Sequence, residues 1–158
     1  MNETPERNSP VHMPVHESFN LSVIVFLTVC TQDHKPLLAR KEIHELLRSI
    51  WSEAGYWVVG RYVLMPNHLQ LFCAPAGVEY PSLANWVRFW KSRVSQAWPW
   101  PEEQPIWQRS FWDTQLRKEE RYSEKWEYVR QNPLRKGLVS RPEDWPYQGE
   151  MNVLEWHD

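Results

Sequence analysis

Apolar residues recur with two different spacings along this chain, and the changes of spacing divide it into strands and helices. The run over 21–31, rich in β-branched and aromatic residues, is typical of a buried strand. Apolar residues near helical spacing over 38–54, closed by a glycine, predict the first helix. Two short strands follow over 56–65 and 68–74, and the Pro-Asn turn between them predicts a hairpin.

The second half of the chain repeats the alternation of helix and strand. A helix is predicted over 82–98, with prolines at both ends, and a strand over 106–116. A third helix is predicted over 119–131, and Asn132-Pro133 ends or kinks it. The order β-α-β-β-α-β-α predicts a ferredoxin-like α+β sandwich, in which helices pack on one mainly antiparallel sheet.

The 158 residues suit one domain, predicted over 19–141. Three prolines and scattered polar residues predict a mobile arm over 1–18, and an irregular tail is predicted over 142–158. The longest apolar run is far shorter than the roughly 20 residues of a membrane helix, and the N-terminal pattern does not predict a signal peptide. Cys30 and Cys73 lie in apolar runs and are expected to be reduced thiols. We therefore expect a cytoplasmic protein without a membrane partner.

The net charge of −2 does not by itself predict a nucleic-acid partner, but its distribution is uneven. Residues 84–141 carry 12 basic and 7 acidic side chains, a net +5, whereas the remainder carries 6 basic and 13 acidic side chains, a net −7. Seven of the eleven tryptophans lie in this basic half. Cations interleaved with aromatic rings suit single-stranded nucleic acid, although a solvated helix surface and a tryptophan-rich core explain the same pattern.

Four residues with chemically useful side chains stand at spacings that group them in pairs. Tyr128 and Asn132 are four residues apart, so a helix places them on one face. His68 and Gln70 are two residues apart, so a strand does the same. A helix laid across the sheet would place a phenol beside three groups that can bind a metal. That arrangement suits a tyrosine nucleophile attacking a phosphodiester.

Three blocks around these residues resemble those of one protein family. YVLMPNHLQLF at 62–72 is similar to the YVxMPNHxHxL block of the REP-associated tyrosine transposases, relatives of the single-strand transposases of the HUH superfamily. WQR at 107–109, with FWD at 111–113, is similar to their second block. WEYVRQNPLRKGLV at 126–139 is similar to their third. The match runs from about 21 to 141 and contains the three blocks in the family's order, which makes the resemblance specific.

The resemblance implies a nuclease and strand transferase of single-stranded DNA that acts near hairpins and uses Mg²⁺ or Mn²⁺. By position, Tyr128 matches the nucleophile, which would form a 5′-phosphotyrosine intermediate. His68 and Asn132 match metal ligands. Gln70 departs from the family, which has a second histidine there, yet a carboxamide oxygen also suits these hard cations. A monomer is favoured over a homodimer.

Phosphate contacts are predicted from charge and position alone. The candidates are Lys91, Arg93, Arg109, Arg117, Arg130 and Arg135. Each could instead pair with a glutamate, just as Tyr128 could be a packing residue and Asn132 a helix end. The main alternative function is a hairpin or single-strand DNA-binding protein in which Gln70 has weakened or abolished cleavage. A further alternative is an interaction domain whose tryptophan-rich surface binds protein.

Overall fold

A computed structural model describes residues 23–117 and 119–154, without the side chains of residues 119 and 120. The predicted arm over 1–18 lies outside these residues. The strands are β1 (Ile24–Thr31), β2 (Trp57–Leu64), β3 (His68–Pro75), β4 (Trp107–Leu116) and β5 (Gln148–Glu150). The helices are α1 (Lys41–Glu53), α2 (Leu83–Gln96), α3 (Glu119–Val129) and α4 (Asn132–Arg135).

All five strands form one antiparallel sheet in the order β4-β1-β3-β2-β5. The two central strands are β1 and β3, and Gln70 of β3 lies opposite Thr28 of β1. The hairpin between β2 and β3 closes with Met65 N–H donating to the His68 carbonyl at 2.8 Å. The predicted α+β sandwich is confirmed, and each predicted strand and helix up to Val129 is present within a few residues of its predicted bounds.

Each face of the sheet carries its own core. Helices α1 and α2 cover one face, where leucines and valines of β1 and β3 pack against the buried indoles of Trp86 and Trp90. The Trp86 Nε1–H donates to the Ala54 carbonyl at 2.7 Å, which fixes α2 against the end of α1. Most of the described tryptophans are core residues of this kind, as expected of large apolar rings.

The opposite face is covered over only part of its length by α3 and the C-terminal segment. Tyr122 of α3 packs on Phe72 of β3 with ring centroids 4.8 Å apart, and Val129 is buried in the same cluster. The chain then turns and continues as α4, with Pro133 in its first turn, a position that tolerates the missing N–H. Helix α3 thus ends at Val129, two residues before its predicted end, and Asn132-Pro133 starts a new helix.

The prediction of an irregular tail over 142–158 is wrong for Gln148–Glu150, which form β5 at the edge of the sheet beside β2. Gly149 lies opposite Tyr62, and a Cβ atom there would stand 2.7 Å from the Tyr62 hydroxyl. Glycine therefore permits a close approach that a side chain would block. Among the described residues no helix is long and apolar enough to cross a membrane.

A buried hydroxyl joins α1 to the sheet and predicts a pH dependence of stability. Arg48 Nη1 donates to the Tyr62 hydroxyl at 2.6 Å, and that hydroxyl lies 2.6 Å from His44 Nε2, to which it can donate. Burial first, and Arg48 second, lower the pKa of His44, with Glu45 opposing. Folding therefore disfavours protonated His44, so stability is complete above the unfolded pKa of about 6.5 and falls as the pH drops below it.

We expect protonation of His44 to lower the free energy of unfolding by less than about 1 kcal/mol at pH 5.5, because its ring is partly solvated. Urea unfolding of wild type and His44→Gln at pH 7.5 and 5.5 measures the effect. The wild type should lose more stability on acidification than the variant. An equal loss in both proteins would remove His44 as the source.

Candidate nucleic-acid and metal site

Strand β3 carries two of the site residues on the face that α1 and α2 leave open. Leu69 and Leu71 point into the core under those helices and are fully buried. The alternation of the strand consequently turns His68 and Gln70 to the other face, where both stay partly exposed. The open face is therefore where polar groups of β3 can meet a ligand.

Helix α4 brings the third residue to the same place. Asn132 Nδ2 donates to Gln70 Oε1 at 2.5 Å, although the two residues are 62 positions apart in the chain. Asn132 and Gln70 therefore meet, but Tyr128 and Asn132 do not share one helix as their spacing predicted, because α3 ends at Val129 and Asn132 begins α4. The contact fixes the start of α4 on the sheet, just after the last turn of α3, which carries Tyr128.

Arg135 links the helix end to Tyr128. Its Nη2 donates to the Tyr128 carbonyl at 2.9 Å and also to Asn132 Oδ1. Its guanidinium lies 4.0 Å from the centroid of the Tyr128 ring, a cation–π arrangement. The Tyr128 side chain is 61% exposed, so its hydroxyl is open to a ligand.

The surroundings of His68 favour its neutral imidazole. Burial, more than the nearby Lys136 and His34, lowers its pKa. Its Nδ1 lies 2.9 Å from Asn67 Oδ1, an acceptor that favours the tautomer with the ring proton on Nδ1. Nε2 then keeps its lone pair, as in a metal-binding histidine whose other nitrogen donates to a neighbouring oxygen.

Two lysines that the sequence argument did not single out also lie here. Lys136 lines a cavity of about 590 Å³ beside His68, and Lys125 Nζ lies 5.9 Å from the Tyr128 ring centroid. Helical spacing would have found them, since Lys136 follows Asn132 by four residues and Lys125 precedes Tyr128 by three. With Arg135 they give the site a positive potential that favours phosphate.

The six predicted phosphate contacts are spread over the molecule. Only Arg135 lies against the site residues. Arg130 pairs with Glu127 at 3.0 Å, and Arg117 is exposed just beyond the end of β4.

The other three predicted contacts lie toward α2. Arg93 pairs with Glu53 at 2.9 Å, on the side of the sheet that α1 and α2 cover. Lys91 and Arg109 line a groove of about 380 Å³ between α2 and β4, where Lys91 Nζ donates to the Gln108 carbonyl at 2.8 Å. Their part in phosphate binding stays a prediction.

The donors at the site suit a divalent cation only in part. In the portion of the chain that the structure describes, no cluster of three His, Cys, Asp or Glu side chains could hold a metal ion. His68 Nε2 with the side-chain oxygens of Gln70 and Asn132 makes a neutral set, in which each amide oxygen has a second lone pair to offer. Such a set fits Mg²⁺ or Mn²⁺ as a weak site that needs phosphate and water to complete it.

Comparison with solved structures finds proteins of similar fold. The structure of a REP-associated tyrosine transposase bound to a REP hairpin matches with a TM-score of 0.71 at 20% sequence identity, over 94% of this chain and 82% of the other. A candidate transposase from Deinococcus radiodurans R1 matches with a TM-score of 0.48 at 17% identity, over 68% of this chain and 88% of the other. No family model matches the sequence, and no curated protein matches it. The chain therefore has the α+β fold of a REP-associated tyrosine transposase.

Proposed function

We propose that this protein is a transposase-like nuclease and strand transferase of single-stranded DNA, with Tyr128 as the nucleophile. The observation that supports it most is the contact between Asn132 and Gln70. It joins the donors of β3 to Asn132, which accepts from Arg135, and the Arg135 guanidinium in turn lies over the Tyr128 ring. The fold likeness agrees, and the matched transposase is bound to a REP hairpin.

The residues of the chain supply most of the chemistry. Tyr128 Oη attacks the phosphorus, the bond from phosphorus to the 3′ oxygen breaks, and the electron pair leaves with that oxygen, which takes a proton from water to become a 3′-OH. The phenol proton passes to water. Arg135 and Lys136 stabilise the charge that builds on the phosphate, and the Arg135 guanidinium over the ring keeps Tyr128 in place.

A divalent cation bound by His68, Gln70 and Asn132 would polarise a non-bridging phosphate oxygen. Because these ligands carry no charge and Arg135 lies beside them, we expect the free protein to bind Mn²⁺ weakly. Substrate phosphate would strengthen the binding by supplying negative charge.

End-labelled DNA tests the proposed reaction. A hairpin oligonucleotide with single-stranded flanks is incubated with protein and Mn²⁺ and run on a denaturing gel. A label at the 3′ end should shift to the mobility of a protein adduct. A label at the 5′ end should give a free shortened fragment that a polymerase extends, because it ends in 3′-OH. Binding without any adduct would refute the enzyme and leave a DNA-binding protein.

That second function, DNA binding without cleavage, is favoured by one observation. Asn132 Oδ1 already accepts from Arg135, so a cation competes with a guanidinium for that oxygen. The non-cleaving protein would need the cations around Tyr128 but none of the three metal donors.

Adding a charge to the donor set should strengthen cation binding. Gln70→Glu places a carboxylate beside His68 and Asn132, and we expect Mn²⁺ to bind the free protein about tenfold more tightly or better. Electron paramagnetic resonance titration of free Mn²⁺ measures this without any cleavage. Gln96→Glu, at the exposed end of α2, adds the same charge elsewhere. Equal affinity in these two variants would exclude Gln70 from the metal site.

A further inference from the structure

Beside the proposed site lies a strip of sheet that none of the described elements fully covers. Helix α3 packs over Phe72 of β3, and Lys125 lies over Phe26 of β1 with its Nζ 4.8 Å from the ring centroid. Two residues further along each strand, on the side toward His68, Thr28 of β1 and Gln70 of β3 are partly exposed. The open face therefore continues from the donor set across β1 toward the edge strand β4.

Trp112 stands at the far side of this strip. It lies directly opposite Thr28 of β1, which in turn lies opposite Gln70 of β3, so the three side chains form one row on one face. Adjacent strands are roughly 5 Å apart, which puts the backbone of Trp112 about 10 Å from that of Gln70. This is a span that a few nucleotides of single strand can bridge.

The exposure of Trp112 sets it apart from the other tryptophans. Its side chain is 39% exposed, the only exposed tryptophan among the described residues. The structure gives it no ring or cation partner within the described part of the chain. Its neighbours on β4, Phe111 and Asp113, are buried. An indole ring that lies partly in solvent with no ring partner in the described chain has a face available to stack on a flat aromatic group.

The surroundings indicate which partner that is. On the other side of the strip, Lys125 and Tyr128 project from α3, and the cations at Tyr128 attract a phosphate backbone. A ring standing beside a phosphate path is the arrangement by which single strands are held, because unpaired bases present a free face whereas duplex bases are stacked on each other.

We propose that Trp112 stacks on an unpaired base of the DNA strand whose phosphate lies at Gln70 and Asn132. This rests on the proposed function and adds to it a nucleobase site on β4. The stack holds the DNA strand at two points on the open face of the sheet. The base lies on Trp112, and the phosphate lies at the cations of α3 and α4. It positions the phosphate for Tyr128 and belongs to binding rather than to bond making.

Fluorescence anisotropy with a labelled single-stranded oligonucleotide, without metal, tests the stack. Trp112→Ala should weaken binding about tenfold or more, within the range measured for base–aromatic stacking, while Trp112→Phe should retain most of the affinity. Phe89→Ala removes another exposed aromatic, 47% exposed on α2 beneath the opposite face, and should bind like wild type.

A series of oligonucleotides with one abasic position each then locates the base. One position should weaken wild-type binding, and the same position should have no effect on Trp112→Ala, because the contact is already lost. Abasic effects that are equal in both proteins, or a Trp112→Ala affinity equal to wild type, would overturn the stack. If the wild type itself binds no single strand, the proposed function fails as well, so the two failures are distinguishable.

Discussion

Replacing Tyr128 by phenylalanine should abolish the covalent protein–DNA adduct and lower the rate of strand cleavage by about a thousandfold or more, because the variant has no nucleophilic oxygen. Its ring remains, so the stacking with Arg135 at 4.0 Å is kept. The side chain is largely exposed, and we therefore expect unchanged stability and single-strand affinity within about threefold of wild type. Denaturing gels at single turnover measure the adduct, and anisotropy measures the affinity.

Tyr56→Phe provides the matched control. Tyr56 is 66% exposed and lies before β2, so it resembles Tyr128 in exposure but not in place. This variant should form adduct at the wild-type rate. Adduct formation by Tyr128→Phe at that same rate would show that the nucleophile is another residue.

Replacing His68 by alanine should slow Mn²⁺-dependent cleavage about a hundredfold or more, since it removes the only nitrogen donor of the proposed set. Because burial lowers the pKa of His68 and favours its neutral ring, we expect its loss to leave the charge of the phosphate path unchanged, and single-strand affinity without metal should stay within about threefold of wild type. Rates measured over a range of Mn²⁺ concentrations separate weakened metal binding from a slower chemical step.

His44→Gln serves as the control for this histidine. His44 lies on α1, which packs on the opposite face of the sheet, so the variant should cleave like wild type at pH 7.5. A His68→Ala protein that cleaves at the wild-type rate at every Mn²⁺ concentration would exclude His68 as a ligand.

The sequence predicted most of the architecture because its apolar spacings are strong over long segments. The run over 21–31 and the helical spacing of α2 leave little choice of element. Strand β5 was missed because three residues, Gln148–Glu150, carry no apolar pattern. Their pairing depends on the approach of Gly149 to Tyr62, a contact between distant parts of the chain.

The grouping of the site residues was predictable only in part. A spacing of two residues puts His68 and Gln70 on one face of β3. The spacing of four residues did not put Tyr128 and Asn132 on one helix, because α3 ends at Val129 and α4 begins at Asn132, and the Gln70–Asn132 contact joins distant parts of the chain. Charge alone did not show which cations lie near that contact. Arg93 and Arg135 look alike in sequence, yet one pairs with Glu53 under the sheet and the other stacks on Tyr128.

The edge strand β4 shows where alternation misleads. A polar residue on a strand is normally expected to face solvent, but Asp113 is buried and Trp112 is exposed. The register opposite β1 decides this, since Leu27 lies opposite Asp113 and Thr28 lies opposite Trp112. Only the three-dimensional pairing shows that the tryptophan shares a row with Gln70.

Mass spectrometry of the adduct tests the central claim most directly. Trypsin cuts after Lys125 and Arg130, so residues 126–130 form a peptide, WEYVR, whose only tyrosine is Tyr128. After reaction with the hairpin oligonucleotide and Mn²⁺, followed by nuclease trimming, this peptide should carry a nucleotide on Tyr128 through a 5′ phosphate. A nucleotide found on a different residue, or no modified peptide from protein that binds the oligonucleotide, would contradict the account.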